Sequence, residues 1–257
     1  MIKFETVPDK INRGISLLIY ADPGIGKTTL ASTLPEGETL IINTEAGLGP
    51  LLGTGHVIFN LKDDLSQLQS LYEQLRTIEH PFTNIVIDNI SEMEQWMVRT
   101  LTSGRGKDLP EIKEHGDVSY KMKEYLHLFR DLVYDGMNVI FNAWEMRLDI
   151  KNTQGEVITK AFPKLYKRLA PDVCGLVDVV GHLEMYQKTG ERYLRFEPTP
   201  DIIAKTQFQG LEKFEPANLA DILTKLRAHV YKKPEQVDKK KGDKEDVVKP
   251  IKPSKSS

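Results

Sequence analysis

Residues 21–28 read ADPGIGKT, a glycine-rich octet that ends in a lysine and a hydroxyl side chain. The spacing is that of a Walker A loop with alanine in the first glycine position. In such a loop successive backbone N–H groups turn toward phosphate oxygens, so Asp22, Pro23, Gly24, Ile25, Gly26, Lys27, Thr28 and Thr29 form a nucleotide cradle. Lys27 then reaches the β- and γ-phosphates as a catalytic cation, and Thr28 offers a hydroxyl to Mg²⁺. A glycine turn beside an ordinary surface lysine is the plain alternative. Average residue usage produces the octet by chance on the order of a few hundredths of the time in a chain this long, which favours the cradle. The metal needs an organising carboxylate as well. NIVIDN supplies Asp88 at the end of an apolar run, the Walker B arrangement. ATP and Mg²⁺ are therefore the expected cofactors.

Bringing these groups together requires strands that stop at one edge of a sheet. Short apolar runs recur at ISLLIYA (15–21), TLIIN (39–43), HVIFNL (56–61), NIVIDNI (84–90) and NVIFNAW (138–144). Between them KTTLASTL, LSQLQSLYEQLRTI and KMKEYLHLFRDLVYDG carry helical spacing. In the last, Met122, Leu126, Phe129 and Val133 share a face and Gly136 offers a stop. The alternation predicts an α/β fold with a mostly parallel β-sheet flanked by helices. After Trp144 the texture changes. RLDIKNTQGEVITK reads as two short strands turning across Asn152 to Gly155, and VVGHLEMYQKTGERYLRFEP as a second pair turning at Lys188 to Glu191. These antiparallel strand pairs would extend the sheet toward the C-terminal part. EPANLADILTKLRAHVY predicts a closing helix capped near Asn218.

With 257 residues, 40% hydrophobic and 28% charged, the chain fits one domain, residues 1–231, and a lysine-rich tail, 232–257, with too little to bury to be ordered. The tail holds nine lysines against five acids, so a net charge of −2 leaves the rest of the chain at about −6. Any nucleic-acid contact in the domain must then come from local basic loops. The single cysteine, Cys174, excludes an internal disulfide or a multi-cysteine metal site and reads as a buried small residue of a reducing cytosol. No run has the length of a signal-peptide core or a bilayer span, so a cytoplasmic protein with no membrane partner is expected. His56, His80, His115, His127, His182 and His229 show no metal-ligand spacing and receive no chemical role.

LIINTEAG places Glu45 just beyond the strand that follows the P-loop helix, and here the chain resembles the RecA/RadA class of P-loop ATPases. In that class a glutamate at such a strand end polarises the attacking water, which makes Glu45 the implied general base. VIFNAWEMR resembles the strand of the same class that ends in a γ-phosphate sensor and leads into a DNA-binding loop. Asn142 is the first sensor candidate and Glu145 the second, while Trp144 stands where related phage ATPases often carry histidine. The same layout implies two DNA-binding segments. One is LTSGRGKDLPEIKEHG with Arg105 and Lys107; the other is RLDIKNTQGEVITKAFPKLYKR with Arg147, Lys151, Lys160, Lys164, Lys167 and Arg168. RecA-like assemblies also lend cations across subunits, and Lys205 in DIIAKTQF is the candidate for that catalytic role.

Together with LVDVVGHL and RFEPTPDIIAKTQF, these segments look like the phage-encoded P-loop nucleotide-binding proteins, some of which are RecA-like single-strand annealing proteins of the Sak type. The resemblance spans roughly residues 13 to 210. It implies a RecA-like P-loop NTPase core with DNA-stimulated ATPase activity, single-stranded DNA as partner, and a homo-oligomeric ring or filament in the host cytoplasm. A phage single-stranded-DNA-binding protein would be a further partner. The stretch before the first strand is too short for RecA's own polymerisation domain, and no extended C-terminal DNA domain follows, so annealing is expected rather than strand exchange. The alternative is an ATP-switched assembly or loading factor in phage DNA replication or repair without annealing activity. A small-molecule kinase is third, since nothing resembles an acceptor site or lid.

Overall fold

The computed structural model describes residues 13–45, 47–61, 65–103, 112–151, 154–166 and 168–230. Arg105, Lys107 and the 232–257 tail therefore lie outside the described residues. In chain order the main elements are β1 (Ser16–Ala21), α1 (Lys27–Ala31), β2 (Thr39–Asn43), β3 (Val57–Asn60), α2 (Ser66–Thr77), β4 (Asn84–Asp88), α3 (Ile90–Ser103), α4 (Ile112–Asp131) and β5 (Asn138–Lys151). They are followed by β6 (Val157–Pro163), α5 (Leu169–Leu176), β7 (Val179–Met185), β8 (Arg192–Arg195), β9 (Lys205–Thr206), β10 (Phe214–Pro216) and α6 (Leu219–Val230).

Among the described residues ten strands form one sheet in the order β10-β8-β7-β1-β5-β4-β2-β3, with β6 paired to β5 and β9 to β7. Every pair from β7 to β3 is parallel; β6, β8, β9 and β10 join antiparallel. All residues of β1, β2 and β4 are buried, which is why they read as unbroken apolar runs rather than alternating ones. The two faces still separate by the period-two rule. Leu18, Tyr20, Ile87, Phe141 and Ala143 pack against α2–α5 through Leu68, Met93, Leu126, Phe129 and Val173. Leu17, Ile19, Ala21, Val86 and Ile140 pack against α1 and α6 through Leu30, Ile222 and Leu226. Phe129 is wholly buried, and Phe129→Ala would remove about 3–5 kcal/mol of packing under the central strands.

The elements differ from the sequence expectation in several places, among them the start of α4 at Ile112 rather than Lys121. The helix after the P-loop stops at Ala31 instead of running through KTTLASTL, because the hydroxyls of Ser32 and Thr33 turn back onto the carbonyls of Thr29 and Leu30, each at 2.7 Å. Strand β5 does not break after Trp144: its first half is buried among the parallel strands, while its second half runs on beyond them to pair with β6. Two helices, α3 and α5, lie in segments without an expected element. The closing helix α6 starts as anticipated, with Asn218 Oδ1 accepting the Asp221 N–H at 3.2 Å.

Candidate functional site

The 21–28 loop leaves the carboxyl end of β1 and turns back through Gly24 (φ 82°) and Gly26 (φ 107°), left-handed conformations that strain any other residue. At Gly26 an added Cβ would also come within 3.0 Å of the Arg192 guanidinium. Lys27 is buried, and its ammonium donates to the carbonyls of Ala21 and Asp22 at 3.0 and 3.1 Å. Burial pushes the Lys27 pKa down, against the pull of Asp88, Glu45 and Asp22.

Asp88 ends β4 beneath this loop. The Thr28 hydroxyl donates to Asp88 Oδ2 at 2.6 Å, and Asn142 Nδ2 donates to Asp88 Oδ1 at 3.0 Å. The sheet order makes the second contact possible, because β5 lies between β1 and β4 and carries Asn142 one step beyond the Ile87–Phe141 pair. Asn142 Oδ1 is buried without a hydrogen-bond partner. An orphaned acceptor next to a phosphate loop marks where a polar ligand completes the site. The Thr28 hydroxyl and the Asp88 carboxylate are hard oxygen donors of the kind magnesium takes, so the donor set fits Mg²⁺ arriving with nucleotide phosphates.

Glu45 stands beyond β2, and the local hydrogen bonds fix its position. Thr44 Oγ1 accepts from Asn89 N–H at 2.7 Å and donates to Asn89 O at 2.8 Å, while Thr44 N–H donates to Asp88 O at 2.9 Å. These three contacts tie the ends of β2 and β4 together, and Glu45 and Asp88 line one cavity. Burial and the Asp88 charge push the Glu45 pKa up, and Lys27 pulls it back. Lys27, Thr28, Glu45, Asp88, Trp144 and Arg192 line one cavity of about 230 Å³.

The structure thus gathers Lys27, Thr28, Asp88, Asn142 and Glu45 and leaves the other predicted residues elsewhere. Glu145 is on the opposite face of β5 from Asn142, where Glu145 Oε2 and Glu184 Oε1 accept from His182 at 2.7 and 3.1 Å. Burial alone would discharge that ring, but the two carboxylates outweigh it and raise its pKa. The Glu145 side chain is committed to this ion cluster, so it is not placed to sense phosphate. Lys205, expected to act across subunits, does not line the cavity of its own chain: its ammonium donates to the carbonyls of Cys174, Gly175 and Val177 at 3.2, 3.1 and 2.7 Å. It thereby closes the C-terminus of α5, where a cation offsets the helix dipole. On the β5–β6 hairpin, Arg147 and Lys151 share the exposed face, whereas Lys160, opposite Leu148, is on the other. Arg147 is further paired with Glu145 at 2.8 Å.

Arg192 is the residue that sequence reasoning missed. Its Nε donates to the Ile25 carbonyl within the P-loop, so β8 lends a cation to the cavity from the same chain. Its only sequence signal is the hairpin register, which puts Arg192 opposite Met185 at the end of β7.

A family model for the AAA domain matches residues 13–208. Among solved structures, the crystal structure of the RadB recombinase is 17% identical, with 80% of this chain and 91% of that chain covered at a TM-score of 0.41. A KaiC-like protein from the hyperthermophilic archaeon Pyrococcus horikoshii is 16% identical, with 77% and 87% covered at a TM-score of 0.42. No curated protein matches the chain. Among the described residues no helix is long and apolar enough to cross a membrane.

Proposed function

The chain belongs to the AAA domain family, and on that premise we propose that it hydrolyses ATP in the cavity between the 21–28 loop and Glu45 and couples turnover to single-stranded DNA. The observation that carries this reading is the Thr28–Asp88–Asn142 cluster facing Glu45 across one cavity. A nucleotide brings charged phosphate oxygens, stronger acceptors than the two carbonyls that hold the Lys27 ammonium, so the lysine moves to the phosphates. Thr28 and Asp88 are the residues that would hold Mg²⁺, which when bound neutralises charge on the β- and γ-oxygens. Asn142 keeps Asp88 oriented, and its own Oδ1 is left without a partner. Glu45 accepts the proton of a water whose oxygen bonds to the γ-phosphorus as the bond to the ADP oxygen breaks. The Arg192 guanidinium, which lines the same cavity, is the cation that would compensate that charge shift.

In its finer form the proposal is a RecA-like protein of phage recombination, assembled as a ring or filament in the host cytoplasm, that anneals strands beside a phage single-stranded-DNA-binding protein. The Sak-type resemblance supports it. A second reading, an ATP-switched assembly or loading factor, is favoured by one observation: the hairpin cations are divided between two faces and Arg147 is already paired. Gel filtration with ATP and without DNA separates the two. Assembly that needs only ATP and a protein partner supports the second; DNA-stimulated hydrolysis that Lys27→Ala abolishes supports the first.

A further inference from the structure

Thr44 precedes Glu45 and Asn89 follows Asp88, so this pair meets one step beyond Asn43 and Asp88, the last partners of the β2–β4 ladder. There the two chains part: the one after β4 turns into α3, and the one after β2 leaves the sheet before β3. One hydroxyl continues the link. Thr44 Oγ1 accepts from the Asn89 N–H at 2.7 Å and donates to the Asn89 carbonyl at 2.8 Å, with both residues buried. A hydroxyl accepts and donates through one atom, so serine can make this clasp and valine, the match in shape, cannot. Asn89 is itself anchored to the first turn of α3. Its Oδ1 accepts from the Glu92 N–H at 2.8 Å, and its carbonyl from the Met93 N–H at 3.3 Å. On the other side Asn43 Oδ1 accepts from the Glu45 N–H at 3.3 Å, while Asn43 Nδ2 donates to Asn60 Oδ1 on β3 at 2.9 Å.

We propose that Thr44 is a positioning residue for hydrolysis, whose clasp on Asn89 fixes the Glu45 backbone against the end of β4 and so sets the separation of the Glu45 and Asp88 carboxylates. The inference rests on the reading of Glu45 as the hydrolytic base. Both carboxylates line the nucleotide cavity and come from neighbouring strands, so their spacing follows from how the two strand ends are held. Without the hydroxyl the ladder up to Asn43 and Asp88 persists, and the phosphate loop, which leaves β1, is untouched. What loosens is residue 45. A base displaced by about 1 Å loses on the order of 10²-fold in rate, because proton transfer needs the water within hydrogen-bond reach. The expected defect is one of chemistry, with nucleotide binding preserved.

The test compares Thr44→Val and Thr44→Ser in the full chain by steady-state ATP hydrolysis and by titration with ATP. Thr44→Val should lower kcat about 10²-fold and leave the KM and the affinity for ATP within about twofold of the parent. Thr44→Ser, which keeps the hydroxyl, should restore kcat to near the parental value. In a Glu45→Gln background Thr44→Val should cause no further loss, since the group it positions is already gone. A merely structural threonine would instead lower affinity and residual turnover together. The proposal is overturned if Thr44→Val keeps parental turnover or loses nucleotide affinity along with it. It is equally overturned if Thr44→Ser binds ATP yet turns over no faster than Thr44→Val, or if Thr44→Val reduces the rate of Glu45→Gln further. A parent that does not hydrolyse ATP, or a Glu45→Gln variant that matches it, overturns the reading of Glu45 and this proposal with it. Where only the Thr44 variants depart from expectation, the proposal alone falls and Glu45 keeps its role.

Discussion

Asn142 holds Asp88: its Nδ2 donates to Asp88 Oδ1 at 3.0 Å from the strand inserted between β1 and β4. With Thr28 on the other oxygen, the carboxylate is fixed before any ligand arrives. Asn142→Ala removes both the donor and a buried unpaired acceptor. Turnover should fall about 10²-fold, the usual loss for one preorganised polar group. Steady-state hydrolysis alongside nucleotide titration checks this, with the change expected in kcat more than in affinity.

Lys27 and Glu45 should separate binding from chemistry. Lys27→Ala should abolish nucleotide binding, while Glu45→Gln should bind normally and lose roughly 10²–10⁴-fold in turnover. Burial and Asp88 raise the Glu45 pKa, and only the ionised form accepts a proton. The acid limb of the kcat profile should therefore fall above the ordinary carboxylate range and disappear in Glu45→Gln.

Arg192 and Lys205 should give opposite phenotypes. Arg192→Gln removes a cation that lines the cavity and should weaken nucleotide binding by about tenfold, in line with ~1.4 kcal/mol for one charged contact, with little change in melting temperature. Lys205→Ala uncaps α5 and should cost ~1 kcal/mol of stability with nucleotide affinity unchanged. Thermal melts and nucleotide titrations on both variants check the pair.

Local sequence carries the phosphate loop, Asp88 and the strands that present them, because a buried parallel strand and a glycine-lysine turn each have a short-range signature. Strand order does not show in the sequence: that β5 enters between β1 and β4 is what brings Asn142 onto Asp88. Three side-chain contacts escape for the same reason. Arg192, His182 and Lys205 find their partners 167, 37 and 28 residues or more away, across strands whose neighbours in the sheet no local pattern encodes. The α3 periodicity at Ile90, Met93 and Met97 is readable, but it stands between the Walker B strand and a glycine-rich segment that suggests a loop.

Glu94 offers a pH test outside the cavity. Both its oxygens accept from the Tyr166 N–H at 2.9 Å, and burial pushes its pKa from 4.5 up to about 7. The folded state therefore keeps a proton that the unfolded chain releases first. Its contribution is complete below pH 4.5 and is lost as pH rises toward about 7. Glu94→Gln should match the parent melting temperature at low pH and exceed it by about 2–4 °C at pH 8, the shift expected for ~1 kcal/mol in a chain of this size.

The central claim is tested most directly by steady-state ATP hydrolysis with and without single-stranded DNA, repeated across a salt series. The account predicts a basal rate that rises several-fold with DNA, a stimulation that fades as salt displaces phosphate contacts, and no activity in Lys27→Ala. Absence of hydrolysis, or a basal rate indifferent to single-stranded DNA at low salt, would contradict it.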